Sequence, residues 1–133
     1  MTSDLWWPLA VGLLTPIAMI ACHPVFLYQS RRPPNDWSGH RTARAASSQR
    51  NWTTAQTMCA KLWVRYGALF AVATLVGFGI LYAAGTRAAE TWWWAALVFA
   101  FAPLAGMIRT LVIVERALRE LDAKSAPQRP GAV

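Results

Sequence analysis

The sequence predicts an all-α membrane protein with three transmembrane helices and an amphipathic interfacial helix between the first and second spans. Composition is the first reason: 56% of the 133 residues are hydrophobic and 14% are charged, against about 45–50% and about 25% in soluble domains. The second reason is the presence of three apolar stretches, each long enough to cross a hydrocarbon core of about 30 Å as a helix. The third is a polar, arginine-rich segment between the first two stretches. We expect residues 1–133 to form a single integral membrane domain.

The first predicted span covers residues 5–28 and contains no charged residue. Pro8, Pro16 and Pro24 interrupt it, and a proline inside a helix removes a hydrogen bond and kinks the axis. Membrane helices tolerate such defects where neighbouring groups satisfy the freed backbone. A cleaved signal peptide would need a basic region before its apolar stretch, whereas this N-terminus carries Asp4 and no lysine or arginine. We expect the stretch to remain as a transmembrane helix.

The second predicted span covers residues 66–85, and the third covers residues 92–114. The link between them, residues 86–91, is short, which predicts an antiparallel helical hairpin. Trp92–Trp94 begin the third span, where an aromatic belt is expected at the membrane–water interface. Beyond the third span, residues 115–133 are expected to continue the helix as a charged extension and to end in a frayed tail.

Basic residues are distributed unevenly around the spans. Residues 29–65 contain seven lysines and arginines and one acidic residue, and the chain from Arg109 onward contains five basic and three acidic residues. The stretch before the first span contains no basic residue, and the link contains one beside one acid. Because lysine and arginine accumulate in cytoplasmic loops, we expect an outside N-terminus, with residues 29–65 and the tail 115–133 in the cytoplasm.

The net charge of +7 is also typical of nucleic-acid-binding proteins, which neutralise phosphates with clustered lysine and arginine. In this chain the basic residues flank apolar spans, so the asymmetry between the two sides of a membrane accounts for them. We therefore expect the lipid bilayer, and no nucleic acid, among the partners.

Motifs for catalysis or metal binding are absent from the sequence, which has no HExxH, CxxC, GxSxG or glycine-rich phosphate loop. His23, His40 and Cys59 lack the spacing of metal ligands. An intramembrane histidine is a functional candidate, but His23 falls close to the predicted interface, where a histidine is usually solvated. We expect no catalytic residue, no metal site and no cofactor.

The polar segment between the first two spans begins with signals for a turn. The proline pair at 33–34 cannot continue the first helix. Asn35 is suited to bonding its own backbone, and Gly39 takes a positive φ without strain. The pattern predicts a constrained loop from which His40 and Arg41 project close to the headgroups.

A helix is predicted after this loop, with Ser47 or Ser48 as its N-cap because a serine hydroxyl accepts from the first free amides. Apolar residues then recur at spacings of three and four, at Trp52, Ala55, Cys59, Leu62, Tyr66 and Leu69. Gln56 falls off this stripe. The segment is predicted to be an amphipathic helix lying at the inner interface, or an inward extension of the second span.

Two motifs follow each other in this segment: Pro34-Asn35-x-x-x-Gly39-x-Arg41-Thr42, and then Asn51-Trp52, Ala55-Gln56, Leu62-Trp63 and Gly67 where a membrane helix begins. This arrangement resembles the SdpI-type proteins, which share an Asn-x-x-x-Gly-x-Arg-Thr turn, a helix that starts near a tryptophan, and a following membrane helix. The resemblance covers roughly residues 10–85, and Gln56 stands where the family often carries histidine.

The resemblance implies a multi-pass protein of the bacterial inner (cytoplasmic) membrane that acts by binding. The family is named for an immunity protein that protects its producer from a secreted toxin and also holds a transcriptional repressor at the membrane. It therefore implies toxin immunity or resistance, or membrane-tethered signalling through the basic cytoplasmic loop. The motif positions implied to bind a partner are Asn35, Gly39, His40, Arg41, Thr42, Asn51, Trp52 and Gln56.

The expected partners besides lipid are a peptide toxin, a cytoplasmic regulator or another membrane protein, and the chain is compatible with a homo-oligomer. One alternative function is a small transporter in which helices kinked at Pro16 and Pro103 line a polar path. The spans lack the buried acids that most cation-coupled paths require. A second alternative, an accessory subunit of a membrane complex, is compatible with every feature of the sequence.

Overall fold

A computed structural model describes residues 6–86 and 88–125 of the chain. The described residues form five helices and no strand: α1 (Trp6–Ala21), α2 (His23–Ser30), α3 (Ala43–Ala46), α4 (Gln49–Ala83) and α5 (Ala89–Ser125). The predicted all-α class is therefore confirmed. Three expectations, the start of the first span at Leu5, the place of Arg87 in the link and the frayed tail 126–133, lie outside the described residues.

Three helical stretches are long and apolar enough to cross a membrane: Trp6–Ser30, Gln49–Ala83 and Ala89–Ser125. Their outer surfaces are also apolar, since Leu69, Ile80, Phe101 and Ile108 are each at least 61% exposed. A continuous apolar exterior of this kind marks contact with a membrane or another apolar partner. The three predicted spans are confirmed as apolar helices, and they indicate a multi-pass membrane protein.

The first span is divided at Cys22 into α1 and α2. Pro24 occupies the first turn of α2, where its missing amide hydrogen leaves no unmade helical bond. In an unbroken helix the same proline would remove an interior hydrogen bond and clash with the preceding turn. Pro16, by contrast, lies inside α1 without ending it. Of the prolines at 16 and 24, only Pro24 therefore coincides with an interruption of the helix.

α4 runs without a break from Gln49 to Ala83, so residues 49–65 are the first half of the helix that forms the second span. Ser48 is its N-cap and accepts from the Asn51 amide at 3.1 Å, while Ser47 instead ends α3. Of the two interpretations of this segment, the structure shows the inward extension. A separate interfacial helix is not confirmed.

α4 is the central helix, because it packs against each of the other four. α1 and α5 also pack on each other, α2 lies on α4, and α3 bridges α4 and α5. α4 and α5 are antiparallel: Phe78 lies 5.5 Å from Trp92 at one end, and Asn51 bonds to Asp122 at the other. The predicted helical hairpin is therefore confirmed. We call the end with Asn51 and Asp122 the basic end, and the end with Phe78 and Trp92 the link end.

The tryptophan triplet at the link end divides between the interior and the surface. Trp92 is 4% exposed and its indole nitrogen donates to the Thr86 carbonyl at 3.0 Å. Trp93 and Trp94 are exposed, as membrane-interface anchors would be. The interfacial prediction therefore does not hold for Trp92, because the antiparallel hairpin brings this side chain against Phe78.

α1 packs tightly against α4 at Gly67. A Cβ added there would lie 2.8 Å from the carbonyl oxygen of Pro16 and 2.8 Å from the side chain of Ile20. Both distances are shorter than van der Waals contact, so any larger residue would push the two helices apart. Gly79, also on α4, has open space around it.

We predict that Gly67→Ala destabilises the bundle by about 1–3 kcal/mol, the usual cost of forcing an extra methyl group into a packed site. The measurement is the midpoint of unfolding in mixed micelles as a denaturing detergent is titrated in. Gly79→Ala is the matched control, and its midpoint should stay the same or rise slightly because alanine favours helix. Equal midpoints for the two variants would show that the contact at Gly67 is not tight.

Candidate functional site

The polar residues of the basic end gather around the loop 31–48, which leaves α2, forms α3 and enters α4. Its first turn is held by Asn35, whose Oδ1 accepts from the backbone amides of Trp37 at 3.1 Å and Ser38 at 3.2 Å. The other end of the same side chain donates to Gln29 Oε1 at 2.8 Å. The predicted turn at Asn35 is therefore confirmed, and the turn is also tied back to α2.

Gln56 holds the centre of the loop. Its side chain is completely buried, its Oε1 accepts from the His40 amide at 3.0 Å, and its Nε2 donates to the His40 carbonyl at 2.9 Å. One side chain thus satisfies both backbone groups of His40, as a neighbouring strand would. Gly39 leaves the room for it: its φ is +91°, and a Cβ there would lie 2.4 Å from Gln56 Oε1. The positive φ predicted for Gly39 is confirmed.

Two expectations for this region are wrong. Gln56 was placed outside the buried stripe of its helix, and His40 was expected to project toward the headgroups, but both are buried. The stripe itself is correct at Trp52, Ala55 and Cys59, which are at most 1% exposed. The loop covers a second face of α4 beside that stripe, so the buried sector is wider than the periodicity of one helix indicates.

Glu115 is the point at which the loop meets α5. The Thr42 hydroxyl donates to its Oε1, and His40 Nε2 lies 3.5 Å from the same oxygen. Arg44 Nε lies 3.7 Å from the other carboxylate oxygen. Three loop residues therefore converge on one acid. Sequence reasoning missed Glu115, which is one of three acidic residues among the five basic residues from Arg109 onward.

Asp122 forms a second junction, about two turns further along α5. Its carboxylate accepts from the Arg44 guanidinium at 2.5 Å and from Asn51 Nδ2 at 2.8 Å. Asn51 is 3% exposed and also donates to the Arg44 carbonyl at 3.2 Å. The hydrogen bonds from Asn51 and Arg44 hold the pKa of Asp122 below its ordinary value, because they stabilise the charged form.

Trp52 joins α4 to the end of α2. The side chain is completely buried, and its indole nitrogen donates to the Gln29 carbonyl at 2.8 Å. The neighbouring Thr53 hydroxyl donates to the Ser30 carbonyl at 2.9 Å. Both bonds go to carbonyls of the last turn of α2, which have no i+4 amide of the same helix to accept from. Trp52, like Asn51 and Gln56, therefore positions the loop and has no face open to a partner.

The outer face of the loop presents an aromatic residue and arginines. Trp37 is 91% exposed, and the Arg41 guanidinium, also on the surface, donates to the Asp36 carbonyl. Arg32 lies over the Tyr28 ring, 4.3 Å from its centroid. Of the eight predicted binding residues, Arg41 is the one that is exposed. Sequence reasoning did not single out Trp37.

His23 lies against α4, with Nδ1 3.1 Å from the Ala60 carbonyl oxygen, and is therefore not simply solvated. Cys22 and Cys59 are free thiols. Within residues 6–86 and 88–125, no cluster of three or more His, Cys, Asp or Glu side chains is arranged to hold a metal ion.

Comparison with known proteins places this loop inside a recognised family pattern. The family model described as the SdpI/YfhL protein family matches residues 31–112. The match covers more than half of the chain and all eight motif positions, and it stops before Glu115 and Asp122. No curated protein and no solved structure matches the chain.

We predict that Gln56→Leu loosens the loop, because it leaves the buried amide and carbonyl of His40 unpaired at about 1–3 kcal/mol each. The measurements are the unfolding midpoint in micelles and the rate of tryptic cleavage after Arg41 and Arg44. Thr57→Val is the control, since that exposed hydroxyl bonds only to its own helix. Gly39→Val should reproduce the effect by displacing the Gln56 amide. Unchanged cleavage in both Gln56→Leu and Gly39→Val would contradict the clamp.

We predict an acid-sensitive junction at Asp122. A carboxylate whose pKa is lowered in the folded state stabilises the fold above its unfolded pKa, and this contribution is lost as pH falls through the folded pKa. The wild-type unfolding midpoint should therefore fall in acid, below the ordinary pKa of aspartate. Asp122→Asn should be less stable at neutral pH and show a smaller acid dependence. Glu120→Gln, which lacks these bonds, should keep the wild-type profile, and a flat wild-type profile would refute the assignment.

Proposed function

The chain belongs to the SdpI/YfhL protein family, and we propose that it acts by binding in the bacterial inner membrane. The function is toxin immunity or resistance, or membrane-tethered signalling through the basic loop 31–48. The proposal is a binding function and not an enzymatic one. It rests on the family pattern together with the three helices that are long and apolar enough to span a membrane.

One observation carries the proposal: the loop is held in a fixed shape while part of it remains open. Gln56 clamps His40 from one side, and Glu115 and Asp122 hold the other side through charged and polar bonds. The buried motif residues are thereby used for positioning. A surface that is organised before its partner arrives loses less entropy on binding.

Trp37 and Arg41 are the residues best placed to meet the partner. Both are exposed at the outer face of the loop, and tryptophan and arginine are enriched among the residues that dominate binding energy at interfaces. Arg31 and Arg32, at the start of the same loop, are also exposed. This composition fits an acidic protein surface or anionic headgroups, and we propose a cytoplasmic regulator as the partner of the loop.

The proposed orientation places the loop in the cytoplasm and the N-terminus outside. It rests on the excess of lysine and arginine beside the loop and α5. The contact between Asn51 and Asp122 supports it, because both basic regions lie at one end of the bundle. In this orientation a secreted toxin would meet the helices from outside or within the membrane, and a regulator would meet the loop.

The transporter alternative gains no support from the interior of the bundle. Thr74 and Thr110 are the buried polar residues within the apolar parts of α4 and α5 as described, and each hydroxyl donates to a carbonyl of its own helix. No buried side-chain polar atom in the described part of the chain lacks a hydrogen-bond partner. A polar path through the membrane would need polar or charged groups that face a cavity and are free to bind a substrate or ion. In the accessory-subunit alternative, the exposed loop would also serve as a binding surface.

We predict that expressing the chain in a toxin-sensitive bacterium raises the peptide concentration needed for killing, for at least one member of a panel of membrane-active peptides. Arg41→Ala should reduce this protection, or the membrane recruitment of a regulator, by about tenfold, since losing an interface arginine often costs more than about 1 kcal/mol. The amount of folded protein should not change, because Arg41 bonds only to a loop carbonyl among the described residues.

Gly79→Ala serves as the control variant, since its surroundings are open, and it should protect as the wild type does. Unchanged killing by every peptide, with folded protein present in the membrane, would contradict a function in toxin immunity or resistance. Loss of folded protein in Arg41→Ala would show that the loop is scaffold instead of a binding surface.

A further inference from the structure

A cleft of about 480 Å³ lies between α2 and α5 at the basic end. It exists because α2 and α5 both pack on α4 but make little contact with each other. Its floor is formed by Phe26, Cys59 and Thr110, which are at most 7% exposed. The volume falls in the range of about 300–1,000 Å³ that is usual for small-molecule sites.

The rim of the cleft is exposed and apolar. Val25, Ile108 and Leu111 are 47%, 66% and 48% exposed, and all three line the opening. They continue the apolar exterior of the bundle, so the cleft opens sideways toward the hydrocarbon region. A molecule that reaches it from the membrane would bring a hydrocarbon chain.

The lining of the cleft offers few free hydrogen-bonding groups to a peptide. The Thr110 hydroxyl is already bonded to the Gly106 carbonyl at 2.9 Å, and both backbone groups of His40 are taken by Gln56. A peptide backbone in the cleft would leave its own amides and carbonyls without partners, which is unfavourable in an apolar site. An acyl chain has no such groups, so it can occupy the apolar cleft without this cost.

A second, shallower groove continues from the cleft along α5. Leu111 lines both, and the groove also includes Glu115, Arg116 and Arg119. The two arginines are exposed, and no ion pair joins either of them to a described residue. The Glu115 carboxylate is already occupied by the Thr42 hydroxyl, with Arg44 and His40 beside it. The free charge of the groove is therefore positive.

We propose that one anionic phospholipid binds here, with an acyl chain in the cleft between α2 and α5 and its phosphate on Arg116 and Arg119. Guanidinium groups match phosphate oxygens in a two-pronged geometry. Leu111 and Arg116 are about 8 Å apart along the helix at 1.5 Å per residue, a separation that the glycerol region of a lipid bridges. A zwitterionic lipid would add its own cation beside two arginines, so the site favours a net negative headgroup.

The test uses the full chain purified in detergent, with phosphatidylglycerol or phosphatidylcholine titrated in and bound lipid counted by native mass spectrometry. The wild type should retain one phosphatidylglycerol in preference to phosphatidylcholine. Arg116→Gln with Arg119→Gln should weaken phosphatidylglycerol binding by about fivefold per arginine, from about 1 kcal/mol for each basic residue near an anionic surface. Lys61→Gln with Arg65→Gln removes the same charge from exposed positions on α4, outside both grooves and outside the loop, and should have little effect.

Ile108→Trp tests the acyl chain, because it narrows the mouth of the cleft from an exposed position. It should reduce binding of phosphatidylglycerol, whereas Ile80→Trp, equally exposed at the link end, should not. The unfolding midpoint of each variant checks that the bundle is intact. Equal loss of phosphatidylglycerol binding in the two double variants would mean general attraction to a basic surface. Unchanged phosphatidylglycerol binding in Ile108→Trp would mean that no acyl chain occupies the cleft. Either result, or a wild type that retains no lipid, overturns the proposal, and none of them bears on the loop's proposed partner.

Discussion

The pairing between the buried amide of Gln56 and the backbone of His40 is the interaction on which the basic end depends. It uses both polar groups of the side chain at a position that is closed to solvent. An irregular loop packed on a helix would otherwise bury unpaired backbone groups, each at a cost of about 1–3 kcal/mol. The absence of a side chain at Gly39 permits the close approach. The clamp therefore allows a loop without regular structure to lie directly against α4.

Once His40 is fixed, the following residues fall within reach of α5. Thr42 donates a hydrogen bond to Glu115, and Arg44 forms ion pairs with both Glu115 and Asp122. Such charged bonds are modest when exposed to solvent, and several of these side chains are partly exposed. They serve to fix the register between loop and helix, while the apolar cluster around Cys59, Val114 and Leu118 supplies the burial.

The two proposed binding surfaces share α5 and are chemically distinct. The loop presents Trp37 and Arg41 outward from a clamped backbone, which suits a protein or headgroup partner. The cleft presents apolar side chains sideways, with Arg116 and Arg119 beyond it. Glu115 and Arg116 are neighbours in sequence and both line the groove, but Glu115 is bonded to the loop, whereas Arg116 forms no ion pair with a described residue. A phosphate bound at Arg116 would therefore lie on the turn of α5 that anchors the loop through Glu115.

The sequence by itself determined the three apolar helices, the turn at Asn35, the positive φ at Gly39 and the cap at Ser48. These features depend on composition and on contacts within a few residues, so local patterns are sufficient to predict them. The family motif was also readable, because its residues lie close together in sequence.

The tertiary structure alone decided which motif residues are buried and which acids complete the site. Thr42 and Glu115 are 73 residues apart, and Asn51 and Asp122 are 71 apart, so no local periodicity connects them. The helix pattern indicated one buried face for α4, but the loop covers another, and Gln56 is buried there for that reason. Whether residues 49–65 lie on the membrane or extend the second span was also open in the sequence. The structure shows the extension, because the polar side chains of that segment find partners on the loop and α5.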